Sequence, residues 1–165
     1  IPLFILAGEI MNSGGITQRI VNLANAMVGH FRAGLAQVNI VASMLFAGLS
    51  GSAVADTSAL GSMLIPAMEK EGYTRAYAAA VTGASSVIGP IIPPSIIMVV
   101  YAYIMNVSVG GLFLAGFVPG IACGLELMVV TKIIGERRNY PKREKRASFK
   151  ERTDALIRAF VQFID

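Results

Sequence analysis

The sequence contains little cysteine, little histidine and few charges. Cys123 is its single cysteine and His30 its single histidine among 165 residues. One cysteine excludes a disulfide framework and a thiolate metal site, so we interpret Cys123 as a small apolar residue of a helix. Charged residues make up 15% of the chain, whereas an ordinary soluble domain has about 25%.

The charges that are present are unevenly distributed. Between Arg32 and Glu69 the one charged residue is Asp56, and residues 76–125 contain none. Hydrophobic residues account for 55% of the chain, and its mean hydropathy is +0.64. A soluble helical protein needs a polar stripe along most of its helices, and these segments lack one. We therefore predict an all-α, polytopic membrane protein.

Basic residues are concentrated near the end of the chain. Residues 136–158 contain nine arginines and lysines against four acidic residues. A basic cluster directly after an apolar helix marks the cytoplasmic side of a membrane. A nucleic-acid-binding arm is the alternative interpretation, but this run adjoins a membrane span, so we expect no nucleic-acid partner.

Glycine, serine and proline interrupt the uncharged runs and divide the chain into segments. The first residues include neither an initiator methionine nor a signal peptide, so we interpret the chain as an internal piece of a longer protein. The predicted segments are the end of a membrane helix and an interfacial amphipathic helix (1–32), a re-entrant helical hairpin (33–72), a broken transmembrane helix (73–106), a transmembrane helix (107–138), and a basic cytoplasmic segment with an amphipathic helix (139–165).

The hairpin is predicted from the lengths of two apolar arms. Residues 35–49 and 53–68 each form about 15 residues of helix, or about 23 Å, which is too short for a hydrocarbon core of about 30 Å. A Gly-Ser break joins the arms, and both outer ends carry charge. We expect a hairpin that enters and leaves on one side. The rival is a single long spanning helix.

The following segment is too long for one straight span of about 20 residues. Gly89-Pro90 and Pro93-Pro94 must interrupt it, because proline removes a hydrogen-bond donor and clashes with the preceding turn. We predict half-helices over residues 73–87 and 95–105, joined by an extended, strand-like crossing.

Both breaks offer the groups that a transporter needs at mid-membrane depth. Freed carbonyls and the Ser50 and Ser52 hydroxyls suit a hard cation, and Gly51 permits a left-handed turn. The helix that begins near Ser52 presents N–H groups and a positive dipole end to a carboxylate substrate. Asp56 is an intramembrane acid, and it either serves function or offsets the helix dipole.

These residues carry a resemblance to a known family. The sequence resembles the large permease subunit of TRAP transporters (DctM-like) across nearly its whole length. The similar segments are residues 2–8 (PLFILAG), 48–56 (GLSGSAVAD), 65–68 (IPAM) with Gly72-Tyr73, 92–95 (IPPS), and Leu112-Phe113 followed by Pro119-Gly120.

The resemblance implies a function and a set of partners. It implies a sodium-coupled importer of organic anions, such as C4-dicarboxylates or sialic acid, and not an enzyme. The family works by an elevator movement in the bacterial inner membrane, with a small membrane subunit (DctQ-like) and a periplasmic substrate-binding protein (DctP-like). This chain matches one of two inverted repeats.

The resemblance also assigns residues to sites. Motif by motif, Na⁺ is expected at Ser50, Gly51, Ser52, Gly83, Gly89 and Pro90. The organic anion is expected near Ser52, Asp56 and Ser95.

Two other classes of protein remain as alternatives. Residues 48–51 (GLSG) also fit the GxSG motif of rhomboid-type intramembrane serine proteases. A serine nucleophile needs a nearby base, and His30 lies upstream at the membrane surface. A passive channel is the third possibility, and it predicts flux without sodium coupling.

Overall fold

The computed structural model describes residues 15–140, which form six helices and no strand. The helices are α1 (Ile16–Val28), α2 (Gly34–Ser50), α3 (Ala53–Lys70), α4 (Arg75–Ser86), α5 (Ile96–Met105) and α6 (Val109–Arg137). The predicted all-α class is confirmed for this part of the chain. The predicted end of a membrane helix before residue 15 and the amphipathic helix after residue 140 lie outside the described residues.

Helix α1 has an apolar and a polar face. The apolar residues recur at helical spacing and are buried in a cluster shared with α2 and α3. Gln18 and Asn22 on the other face are exposed, and their side chains are joined by a 2.9 Å hydrogen bond. The hairpin thus covers the apolar face of α1, and a position in the membrane interface stays a prediction.

Helices α2 and α3 form an antiparallel hairpin. Gly51 ends α2 with a positive φ of 56°, a conformation that glycine adopts at little cost. Ser52 begins α3, since its hydroxyl accepts a hydrogen bond from the Ala55 N–H at 3.4 Å. Near the open end of the hairpin, Asn39 Nδ2 lies 3.8 Å from Met68 Sδ. The rival prediction of one continuous helix is therefore wrong.

Helices α4 and α5 are the two halves of an interrupted helix. Residues 87–94 between them are turns and bends, and Ser95 alone is extended, so the predicted strand-like crossing is wrong. Pro90 has no N–H for the Ser86 carbonyl, and the Gly89 N–H bonds that oxygen instead at 3.0 Å. Tight turn bonds therefore continue from α4 and keep the segment compact.

Helix α6 is the one described helix that is long and apolar enough to cross a membrane. It has 29 residues, and only 17% of its most apolar 18-residue stretch is buried. A buried stripe of Gly116, Gly120 and Gly124 faces the rest of the bundle, and the helix continues through Pro119. Glycines at this spacing allow close helix packing in membranes. Low burial and the apolar surface distinguish α6 from the core helix of a soluble protein.

The charged ends of three segments meet at one end of the bundle, which we call the basic end. A Cβ added at Gly135 would lie 2.7 Å from the Cβ of Ala33. The ring of Tyr140 lies 4.5 Å from that of Tyr73, between their centroids. The start of α2, the α3–α4 turn and the end of α6 are therefore neighbours, as expected if all three lie on one membrane side.

Candidate functional site

The two helix breaks lie against each other, and we call this contact the crossing. A Cβ added at Gly51 would lie 3.1 Å from the Ser95 Cα and would also contact the Pro94 carbonyl. From the other side, a Cβ at Gly89 would lie 3.5 Å from the Ser52 carbonyl carbon. Only residues without side chains allow two backbones to come so close. The contact itself therefore requires a glycine at Gly51, whereas a Cβ at Gly89 would be in ordinary van der Waals contact with the hairpin tip.

Carbonyl groups at the second break lack their usual helical donors. Residues three and four positions after Pro90 are Pro93 and Pro94, and neither has an N–H group. The Pro90 carbonyl therefore receives no local backbone hydrogen bond. Pro90 is half-buried, and a carbonyl without a backbone donor can be satisfied by water or by a hard cation.

The start of α3 opens onto an accessible surface beside the crossing. An open depression of about 390 Å³ is lined by Ala53, Val54, Thr57 and Ser58. The first N–H groups of a helix have no intrahelical acceptors, and they carry the positive end of the helix dipole. The start of α3 therefore carries a partial positive charge beside a depression whose lining is mostly apolar.

The structure brings most of the predicted ion residues together. Ser50, Gly51 and Ser52 form the hairpin tip, where the Ser52 N–H donates to Ser50 Oγ at 3.4 Å. Gly89 and Pro90 lie in the facing break. Gly83 is exposed within α4, and a Cβ added there would have no neighbour within 4 Å. The contacts of the crossing therefore do not involve Gly83.

The predicted substrate residues have different surroundings. Ser52 is half-buried, and its hydroxyl keeps a free proton while it caps α3. Ser95 is buried, with its hydroxyl accepting from the Met98 N–H at 3.3 Å. Its side chain therefore caps α5 and faces no open surface.

Asp56 is fully buried in the first turn of α3, at 0% exposure. The Ser43 hydroxyl is the neighbouring polar group, but neither carboxylate oxygen has a hydrogen-bond partner among the described residues. A carboxyl group in such surroundings is either protonated or compensated by a cation. Its burial separates Asp56 from the open depression at the start of α3.

A polar seam between the hairpin and α4 was not predicted from the sequence. Asn39 Nδ2 donates to Thr82 Oγ1 at 2.7 Å, and the Ser43 and Ser85 hydroxyls are 2.9 Å apart. Nearer the crossing, Thr57 Oγ1 donates to Ser86 Oγ at 2.7 Å. The sequence did contain a sign of this seam. Asn39 and Ser43 are four residues apart in an apolar helix, and Thr82 and Ser85 are three apart, so each pair lies on one helix face.

The crossing lies near the middle of α6. A Cβ at Gly120 would lie 2.5 Å from Ile92 Cγ1, and one at Gly116 would also reach the second break. Gly120 is three residues, or about 5 Å, from the midpoint of the helix. The two breaks thus meet beside the central part of the one described helix that is long enough to cross a membrane.

The family model for the DctM component of the tripartite ATP-independent periplasmic transporters matches residues 1–164. The chain belongs to this family. The resemblance seen in the sequence is therefore confirmed. Members of the DctM family are membrane permeases, and the long apolar helix α6 agrees with that setting.

Several curated relatives are similar to this DctM-family chain. It is 45% identical over 160 residues to the sialic acid TRAP transporter large permease protein SiaM of Vibrio cholerae, covering 95% of this chain and 38% of that protein. It is 49% identical over 142 residues to the C4-dicarboxylate TRAP transporter large permease protein DctM of the same organism, covering 86% and 31%.

A third relative has a different substrate in its name. The 2,3-diketo-L-gulonate TRAP transporter large permease protein YiaN of Escherichia coli is 43% identical over 145 residues, covering 88% of this chain and 34% of YiaN. The chain thus spans about a third of the curated relatives it matches. All three relatives are named as permeases, which confirms the prediction that the chain is not part of an enzyme and rejects the rhomboid alternative.

Proposed function

We propose that the full-length protein is the membrane permease of a sodium-coupled transporter that imports an organic anion. C4-dicarboxylates and sialic acid are the expected substrates, because relatives named for both match this chain at 45–49% identity. The chain supplies one of two repeats, with its hairpin re-entrant in the membrane. The repeat moves in an elevator fashion against a scaffold.

The observation that supports this proposal is the crossing of two broken helices near the middle of α6. At this point the chain offers the Pro90 carbonyl, which has no local backbone donor, and two serine hydroxyls at the hairpin tip. Oxygen ligands of this kind are what a sodium ion needs. We assign Ser50, Gly51, Ser52, Gly89 and Pro90 to the ion, and we place Gly83 at the edge of this set.

The anion is proposed to bind at the start of α3, within the open depression. Ser52 keeps a hydroxyl proton that a substrate carboxylate can accept. The orphan N–H groups of α3 add further donors. Asp56, although near this end of the helix, is buried and acidic. We therefore propose that its carboxylate stabilises the cation and acts on the anion indirectly.

The setting of the transporter follows from the family and from the charge distribution. We propose the bacterial inner membrane, with the basic end in the cytoplasm. The partners are a small membrane subunit, a periplasmic substrate-binding protein and the lipid bilayer. An elevator carries the crossing between the two membrane faces, so substrate reaches it alternately from each side.

Uptake by the full-length transporter in proteoliposomes tests the proposal. With its small subunit and binding protein present, an inward sodium gradient should drive accumulation, and a choline gradient should not. Ser50→Ala should reduce the sodium-driven rate about tenfold, the equivalent of losing 1.4 kcal/mol of ion binding. Uptake that is equal under both gradients would favour a passive channel and contradict sodium coupling.

Ser62→Ala is the matched control for Ser50→Ala. Ser62 is an exposed residue of α3, and its hydroxyl donates to the Ala59 carbonyl at 3.0 Å within the same helix. The substitution removes a hydroxyl of the same kind far from the crossing, so uptake should stay at the wild-type rate. Equal losses in both variants would show that the effect of Ser50→Ala is not specific to the ion site.

A further inference from the structure

Glu126 is an acidic residue on the exposed surface of the membrane-spanning helix. It lies 11 residues before Arg137 in α6, which is about 16 Å along the helix axis. Its side chain is exposed, and no described residue forms an ion pair or a hydrogen bond with it. The neighbouring residues Leu125, Val129 and Val130 are exposed and apolar.

The exposed carboxylate lies on the opposite face from the packed stripe of α6. At 100° per residue, Glu126 is more than a quarter turn from the buried Gly120, Gly124 and Thr131. The face around it also has small residues, because Ala115 and Ala122 fall within about 40° of Glu126. We call this surface the Glu126 face. Small residues at such spacing let another helix approach closely.

Nothing on α6 itself compensates the charge. Lys132 is six residues away, which places it about 120° around the helix and about 9 Å along it. A glutamate side chain has two methylene groups and does not reach the headgroups from a depth of about 16 Å. Ionisable residues within a bilayer almost always face other protein and pair with a partner. The Glu126 face is therefore unsuited to lipid.

We infer that the Glu126 face packs against a transmembrane helix of the same permease, outside the 165 residues, that carries a lysine or arginine at the depth of Glu126. The chain covers 38% of SiaM and 31% of DctM from Vibrio cholerae. More than half of such a permease therefore lies beyond the matched region, and a helix from that part can cover the Glu126 face. This inference depends on membrane insertion and is independent of sodium coupling.

Charge reversal in the full-length permease tests the inference. Glu126→Lys should lower the melting temperature of the purified transporter by several degrees, because two cations would then face each other. Second-site revertants that restore uptake should replace a lysine or arginine outside residues 1–165 with an acidic residue. Glu136→Lys is the matched control, since Glu136 is exposed at the basic end of the same helix, and it should leave the melting temperature unchanged.

Carbodiimide labelling of the wild-type transporter in membranes decides the matter if Glu126→Lys fails to fold. A hydrophobic carbodiimide should leave Glu126 unmodified, because a paired helix covers it. Rapid labelling of Glu126, together with a Glu126→Leu variant as stable as the wild type, would show a lipid-facing residue and overturn the inference. Revertants that map to the small membrane subunit would overturn the assignment to the same polypeptide.

Discussion

Gly51 shows how a single residue determines whether the two breaks can meet. Its φ of 56° is a left-handed conformation, and its missing side chain leaves room for the backbone of Pro94 and Ser95. Any other residue at this position would have a strained left-handed backbone, and its Cβ would collide with the facing break. A left-handed conformation costs an ordinary residue about 1–2 kcal/mol, and the contact with a backbone carbonyl adds to this.

Gly51→Ala should therefore destabilise the full-length transporter by at least about 2 kcal/mol and abolish uptake. Gly72→Ala is the control, because Gly72 also has a positive φ, of 92°, but no neighbour within 4 Å of a Cβ. Gly72→Ala should lower the free energy of unfolding only by the cost of the left-handed backbone, and the transporter should keep its uptake. Thermal unfolding and proteoliposome uptake measure the two effects. Equal losses of uptake would contradict a specific contact at the crossing.

Asp56 leads to a second prediction at the residue scale. Its buried carboxyl group has the Ser43 hydroxyl as a neighbour but no cation beside it among the described residues, so we expect a bound sodium ion to stabilise the wild-type transporter. At a sodium concentration of 100 times Kd this stabilisation is about 2.7 kcal/mol. Asp56→Asn should lose most of it while remaining folded without sodium, because the substitution removes an uncompensated charge. Melting temperatures in sodium and in choline are the measurement.

Glu136→Gln is the control for Asp56→Asn, since it removes an exposed carboxylate at the basic end. It should leave the sodium-dependent shift unchanged. An Asp56→Asn protein that retains the full shift would show that Asp56 takes no part in ion binding.

At the scale of the helices, the positions of the two breaks could be predicted from the sequence, whereas the shape of the second break could not. The breaks contain glycine and proline, whose backbone properties act locally, so Gly51 and Pro90 indicated interruptions without any knowledge of packing. The shape of residues 87–95 depended on which N–H groups found acceptors nearby, and the prediction of an extended crossing failed there. Local chemistry locates a break, whereas its geometry depends on the surrounding contacts.

The polar seam was missed because its partners are distant in sequence. Asn39 and Thr82 are 43 residues apart, and they meet only when α2 and α4 pack together. Each residue alone resembles an ordinary polar substitution in an apolar helix. The seam joins the hairpin to the broken helix, so both elements are expected to move as one body in an elevator.

A double-mutant cycle measures the contribution of the seam. Ser43→Ala and Ser85→Ala each remove one hydroxyl of a buried pair that is 2.9 Å apart. The coupling energy between them in thermal unfolding should be about 0.5–1.5 kcal/mol. The exposed pair of Gln18 and Asn22, also 2.9 Å apart, is the control and should couple by less than about 0.5 kcal/mol. Zero coupling at the buried pair would mean that the seam does not hold the elements together.

At the scale of the whole molecule, two features matter: where the helix ends and breaks lie, and how much of a permease this chain covers. The described residues place three charged segments at the basic end and both breaks near the middle of α6. About two thirds of the relatives' length lies outside the match. We therefore propose that the candidate ligands from Ser50 to Pro90 form one part of a site that a second repeat completes.

Labelling of a cysteine in the open depression tests the central claim most directly. Val54 is 49% exposed and lines that depression, so Val54→Cys in a cysteine-free transporter should react with a water-soluble maleimide. Sodium together with the organic anion should slow the reaction about tenfold, a protection equivalent to 1.4 kcal/mol of binding. Lys70→Cys, exposed at the far end of α3, should react at an unchanged rate. If sodium and substrate leave the rate at Val54→Cys unaltered, the crossing of the two breaks is not the binding site.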